Sequence, residues 1–183
     1  MLVLIVGIGR VGSELARTTL KEGHQVSCLD EDPESHARLE IGLDGSWEDQ
    51  GGRFTVGTGL ELDALEEAGI ESADAFVAAT DGDNTNIVIA QMAQRRFQVP
   101  TVIARILDPY RAQWYETQGL HTICPTRVAI DMLTGEVRQA AAHAAWDAER
   151  GASRASADGD GAGEGGDSEA EGEEAQAEAG EGK

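Results

Sequence analysis

Three glycines near the start of the chain are spaced to do chemistry. Gly7, Gly9 and Gly12 form a G-x-G-x-x-G pattern directly after the apolar run Leu2–Val6. Such glycines allow a tight turn, let a pyrophosphate approach the backbone, and let a helix pack close against a strand. The helix N-terminus that follows offers free N–H groups to an anion. Eighteen residues beyond Gly12 stands Asp30, where a dinucleotide fold places an acid for ribose hydroxyls. Further on, Thr58 and the polar turn Thr80–Asn86 supply hydroxyl, carboxylate and amide groups. Read blandly, the glycines are punctuation, Asp30 is a solvated strand-end acid, Arg10 is a surface residue, and Asp83 and Asn86 are helix caps. The signature of other chemistries is thin. The only lysines are Lys21 and Lys183, so no Tyr-x-x-x-Lys pair exists for hydride transfer. The four histidines (His24, His36, His121, His143) are scattered and no C-x-x-C is present, which argues against a metal centre.

These residues need a scaffold, and the hydropathy pattern supplies one. Short, nearly continuous apolar runs occur at 2–6, 25–29, 53–56, 73–79, 100–106 and 121–124. Such runs read as strands buried on both faces. Between them lie helical stretches at 10–21, 33–40, 60–68, 85–97 and 108–118, with Asp83 or Asn84 placed to cap the fourth. A last helix runs from Pro125 to about Arg150. Strand and helix alternate six times, which predicts an α/β, Rossmann-like doubly wound parallel sheet. Ligands in such sheets bind beyond the carboxyl ends of the strands, at the switch point. Gly7–Gly12, Asp30, Thr58 and Thr80–Asn86 all fall at those ends, so four separate stretches converge on one site. The glycine-rich, acidic stretch 42–52, with Trp47 inside it, reads as a surface loop. Cys28 and Cys124 lie in apolar segments and read as buried reduced thiols.

Charge and composition narrow the partners. The chain has 183 residues, 34 acidic against 14 basic, for a net charge of −20. Ten of the acids and two basic residues lie in 151–183, a segment of Gly, Ala, Ser, Glu and Asp without aromatic or β-branched residues. It cannot bury enough apolar surface to offset its ordering entropy and reads as a disordered acidic tail. The acidic body argues against binding nucleic-acid phosphate. No run approaches the ~20 apolar residues of a membrane span, and the N-terminus lacks the basic region of a signal peptide. A soluble, cytoplasmic protein with no direct membrane insertion is expected. The organisation is a nucleotide-binding domain over 1–133, an extended or crossover helix over 134–150 and the tail over 151–183. At ~1.5 Å per residue the last helix outreaches a small domain, so its far half is expected to pack on a second subunit.

Beyond these patterns the chain resembles the nucleotide-binding N-domain of regulators of potassium conductance (RCK or KTN domains, also called TrkA-N). The residues that carry the likeness are Val6-Gly7-Ile8-Gly9-Arg10-Val11-Gly12, Gly23-His24-Gln25-Val26, Asp30-Glu31-Asp32-Pro33, Leu65–Ile70, Ala73–Thr80, Asp83, Asn86, Ala104–Pro109 and Gly119–Pro125. They run in order from residue 1 to about 133. The resemblance implies a regulatory subunit of a Trk- or Ktr-type potassium uptake system. It implies a cleft that binds NAD(H), ATP or ADP, and a homodimer or higher ring beneath a membrane potassium-translocating subunit. Carried across by position, Gly7, Gly9 and Gly12 with the adjoining Val11 would line the pyrophosphate, and Arg10 would face phosphate oxygens. Asp30 would hold the adenosine ribose, and Thr80, Asp83 and Asn86 would form the far wall. Arg105 would support the site or the dimer contact. Gly57-Thr58 replaces the Gly-Asp usual in the family, so the choice of nucleotide is open at Thr58. The 42–52 loop is longer and more polar than expected. Many relatives carry a second, smaller domain where this chain has its tail, which allows a stand-alone N-domain or a heteromer with a full-length homologue. A sensor for another transporter or antiporter, and an NAD-dependent dehydrogenase, are the alternatives.

Overall fold

The computed structural model describes residues 1–158, with side chains to 150. The chain divides into two units, Met1–Thr134 and Gly135–Lys183. The first holds a six-stranded, all-parallel sheet in the order β3-β2-β1-β4-β5-β6. The strands are β1 (Leu2–Val6), β2 (Gln25–Asp30), β3 (Gly52–Val56), β4 (Ala75–Ala78), β5 (Thr101–Arg105) and β6 (His121–Ile123). The helices are α1 (Arg10–Lys21), α2 (His36–Leu39), α3 (Leu62–Glu67), α4 (Asp83–Arg95), α5 (Pro109–Thr117) and α6 (Pro125–Asp158). This is the doubly wound Rossmann-like architecture that the alternating runs predict.

Apolar runs become central strands because both their faces find cover. In β1, Leu4 and Val6 point into one core with Leu29, Phe76, Leu65 and Ile89. Val3 and Ile5 point into the other, with Val26, Cys28, Ala16 and Leu39. From β1 the chain winds to β2 and β3 on one side, then crosses to β4, β5 and β6 on the other. The switch point therefore lies between β1 and β4, paired in register from Val3 opposite Ala75 to Val6 opposite Ala78.

Some boundaries move for identifiable reasons. The 33–40 helix splits into a 3₁₀ turn, Pro33–Ser35, and the single turn of α2. Asp32 caps that start by accepting from Glu34 N. Helix α4 begins at Asp83, capped by Gly82 rather than by Asp83 or Asn84, because the Asp83 carboxylate is engaged elsewhere. Helix α5 starts as its Asp-Pro pair predicts, with the Asp108 carboxylate accepting from Tyr110 N and Arg111 N. Helix α6 continues to Asp158, past the composition-based start of the tail. Ala152, Ala155 and Ala157 are strong helix formers and extend a helix already nucleated. The expectation for the tail beyond 158 lies outside the described residues.

The 42–52 stretch is more than a surface loop. Trp47 is fully buried and joins the core beneath α1 and α2. Its ring lies against Gly52, where a Cβ would come within 2.1 Å of Trp47 Cε2. A single aromatic anchor inside a polar segment escapes a composition-based reading. Among the described residues no helix is long and apolar enough to cross a membrane.

Candidate functional site

At the carboxyl ends of β1, β2, β3 and β4 the first unit opens into a cavity of about 680 Å³. Its floor is the turn after β1. Gly7 takes φ +93°, a left-handed conformation that glycine adopts freely. A Cβ there would meet Thr80 N at 2.5 Å, so Gly7 also lets the ends of β1 and β4 approach. Gly12 performs the helix–strand packing: a Cβ on it would lie 1.9 Å from Gly7 O. Gly9 is different. Open space surrounds the position of its missing Cβ, and it stands at the N-cap of α1 with no side-chain cap. An anion can reach the backbone there and meet the unpaired N–H groups of the first helical turn.

The structure brings Gly7, Gly9, Arg10, Val11, Asp30, Thr58, Thr80 and Arg105 to the wall of this one cavity. The other three sequence-selected residues lie behind it. Gly12 is buried under the turn. Asn86 is 1% exposed and ties the wall together. Its Oδ1 accepts from Thr80 N at 2.9 Å and Thr80 Oγ1 at 2.7 Å. Its Nδ2 donates to Thr80 O and Arg105 O, both at 2.9 Å. The Asp83 carboxylate accepts from Leu107 N at 2.7 Å and Asp108 N at 3.1 Å, locking the β5–α5 connection onto α4. Both are positioning residues in this arrangement.

Asp30 closes β2 beside the glycine turn. Its Oδ2 accepts from Ile8 N at 2.5 Å and its Oδ1 from Asp32 N at 2.9 Å. Each ionised carboxylate oxygen has a further lone pair for a hydroxyl donor. Sequence reasoning missed Arg38, which lines the same cavity. Its Nη1 donates to Ser35 Oγ at 2.7 Å and to Ile8 O at 3.4 Å, and lies 4.0 Å from Asp32 Oδ2. The peptides flanking Ile8 are thus held by Asp30 at the N–H and Arg38 at the carbonyl. Ser35 was missed as well, whereas Glu31, Asp32, Asp81 and Thr85, which also line the cavity, fall in stretches that the sequence marks. The one available signal was the Ser35-x-x-Arg38 spacing, which puts both on one face of a short helical turn.

Charge in the cavity is mixed. Three guanidinium groups (Arg10, Arg38, Arg105) face carboxylates at Asp30, Glu31, Asp32 and Asp81. Arg105 Nη2 donates to Thr80 O at 2.5 Å, while its buried Nε has no partner. An orphaned buried donor on the wall and the open cradle at Gly9 both suit a phosphate-bearing ligand. Beneath the floor, burial pushes the Cys28 thiol far above its ordinary pKa, with the Asp30 charge adding to the effect. Cys28 is therefore a neutral packing residue and no nucleophile.

Sheet order, glycine turn and cavity define a Rossmann-like domain of the nucleotide-binding type. The chain belongs to the TrkA-N domain family, whose model matches residues 3–125. It is 40% identical over 146 residues to the Trk system potassium uptake protein TrkA of Streptomyces coelicolor, covering 80% of this chain and 62% of that one. A TrkA homolog of Methanothermobacter thermautotrophicus is 34% identical over 134 residues, covering 73% of this chain and 58% of the relative. The chain thus spans about 60% of the length of these relatives. Among solved structures, the AMP-bound form of the Shewanella denitrificans Kef CTD matches at a TM-score of 0.62 and 24% identity. It covers 85% of this chain and 91% of that one. The TrkA-N domain of the Escherichia coli inner membrane protein ybaL matches at 0.59 and 20%, covering 72% and 93%. These two likenesses carry the fold.

Proposed function

We propose that this chain is a nucleotide-binding regulatory subunit of a membrane potassium transporter, acting through occupancy of the switch-point cavity by NAD(H), ATP or ADP. Membership of the TrkA-N family and the name of its curated relatives support the transport setting. The observation that carries the nucleotide reading is the cavity itself: an open Gly9 backbone at a helix N-terminus, with Asp30 at one end and Arg105 at the other. In this reading the N–H groups after Gly9, with Arg10, bind phosphate. Asp30 accepts from the ribose hydroxyls, and its charge repels a 2′-phosphate, which disfavours NADP. Thr58 and Thr80 contribute hydroxyls at the two sides of the cavity. Gly12, Asp83 and Asn86 act on the site through the elements they hold.

The chain binds its ligand without converting it and sits peripherally on the inner face of the membrane through its transporter. It works as a homodimer or higher ring, or as a heteromer with a homologue. Exposed apolar residues of the first unit support self-association. Ile123 at the sheet edge and Val128, Ile130 and Leu133 on α6 are each about half exposed or more. The proposed division is a nucleotide-binding domain over 1–133, an extension over 134–150 and the tail beyond.

A thermal-shift panel of NAD, NADH, ATP, ADP and AMP tests the reading, because a ligand bound only by the folded state raises its melting point. A rise with a dinucleotide or an adenine di- or triphosphate is expected. A flat response to all five contradicts the site. Turnover of NADH with candidate substrates contradicts the regulatory role.

A further inference from the structure

Helix α2, whose Arg38 reaches the nucleotide cavity, meets the Trp47 loop through the His36–Glu48 contact. Among the described residues, one group of three side chains there offers metal-ligating atoms to a common point: His36, Glu40 and Glu48, all within 4.8 Å of one another. We propose that these three residues form a binding site for a first-row transition-metal dication, with Zn²⁺ as its probe. The inference stands independently of the nucleotide reading.

Spacing and donor chemistry carry the argument. His36 and Glu40 are four residues apart across the single turn of α2, which sets them on one face. Glu48 comes from the loop, with His36 Nε2 at 2.9 Å from Glu48 Oε1. With metal–ligand bonds of about 2.0–2.2 Å, ligand atoms around one tetrahedral ion lie roughly 3.3–3.6 Å apart. The observed separations, from 2.9 Å to at most 4.8 Å, bracket that range. Small side-chain rotations suffice to close the set. One imidazole and two carboxylates suit a borderline ion such as Zn²⁺. Mg²⁺ and Ca²⁺ prefer oxygen alone.

The His36 ring and the backbone that carries Glu48 have fixed neighbours. The His36 ring meets the edge of Phe54 at a centroid distance of 5.3 Å and an interplanar angle of 69°. Glu48 follows the buried Trp47. Ser46 and Asp49 bind each other's backbone N–H groups around it, at 3.4 and 3.1 Å. Charge points the same way. His36 cancels at most one of the two carboxylates, and no lysine or arginine of the described residues forms an ion pair with Glu40 or Glu48. A dication at the centre supplies the missing charge and fastens the 43–51 loop to α2. That same turn presents Ser35 and Arg38 to the cavity.

The test is calorimetric titration of the full chain with Zn²⁺, repeated for Glu48→Gln, His36→Gln and His121→Gln. Gln keeps the size of Glu48 and removes its charge. One saturable site is expected in the parent. Glu48→Gln and His36→Gln should weaken it by at least about tenfold, while His121→Gln, at an exposed histidine outside the group, should leave it unchanged. Excess Mg²⁺ or Ca²⁺ should not displace the Zn²⁺. Circular dichroism reports whether each variant folds. Should His36→Gln fail to fold, Glu48→Gln and Glu40→Gln decide the matter, since both replace surface-accessible groups. Three results overturn the proposal: no saturable Zn²⁺ site, equal affinity in parent and carboxylate variants, or displacement by Mg²⁺ or Ca²⁺.

Discussion

Replacing Gly9 and Gly12 separately by alanine should produce opposite phenotypes, although both belong to one motif. At Gly12 the new Cβ would stand 1.9 Å from Gly7 O and 3.0 Å from Gly7 C. Those are backbone atoms of a turn held by the Gly7 N to Leu29 O bond at 2.9 Å, so little can give. Overpacking of this kind costs about 1–3 kcal/mol or more. At roughly 2–4 °C per kcal/mol for a chain of this size, a 3 kcal/mol loss lowers Tm by about 6–12 °C. At Gly9 the Cβ meets nothing within 4 Å, and φ −75°, ψ −161° is extended backbone open to alanine. A reduced unfolded-state entropy, worth about 0.4–1 kcal/mol, offsets a similar loss from alanine at an N-cap. Stability should therefore change by no more than about 1 kcal/mol. The methyl group instead fills the space where a phosphate meets the backbone, and nucleotide affinity should fall at least about tenfold. Differential scanning fluorimetry reads the first effect and calorimetric titration the second. A Gly9→Ala protein that binds nucleotide like its parent, or a Gly12→Ala protein with an unchanged Tm, would refute the division of labour.

Other perturbations probe the surrounding structure. Asn86→Ala strands the Thr80 N–H and the Arg105 carbonyl in a buried site, and should cost at least about 2 kcal/mol in urea unfolding. Trp47→Ala empties a fully buried aromatic site and should cost about 3–5 kcal/mol; a loss under 1 kcal/mol would return 42–52 to the status of a plain surface loop. Cys28 should resist thiol reagents in the folded protein while the partly exposed Cys124 reacts, giving one labelled thiol per chain before denaturation and two after. Because folding raises the Cys28 pKa, its contribution is complete below the ordinary thiol value of about 8.5 and is lost as pH rises above it. Stability should fall on that alkaline side, with a shallower slope in Cys28→Ala.

Strands and turn were legible in the sequence because each depends on a local pattern. Leu2–Val6 is a branched apolar run, and both its faces are buried. Asp108-Pro109 reads as a helix start, and the Asp108 carboxylate accepts from Tyr110 N and Arg111 N. What the sequence did not reveal depends on distant partners. Asp83 looks like a cap for its own helix, but its carboxylate serves Leu107 and Asp108 across a tertiary contact. Asn86 sits in a stretch that reads as a polar turn, and its burial follows only from the approach of β4 to β5. Arg38 occupies a turn too short to show a period, and only its three-residue spacing from Ser35 sets it apart from a surface arginine. Trp47 is hidden by its glycine-rich, acidic neighbours. The convergence of Gly9, Asp30, Thr58 and Thr80 was legible because strand ends of a parallel sheet share one edge.

The central claim is that the switch-point cavity binds a nucleotide through Asp30. Calorimetric titration of the full chain and of Asp30→Ala with NADH, ATP and ADP measures it most directly. Saturable binding of at least one of them is predicted for the parent. The loss of a charge-assisted partner worth about 1.5–3 kcal/mol should weaken that binding roughly 10- to 150-fold in the variant. Equal affinity in parent and variant, or no binding of any of the three by the parent, would contradict the account.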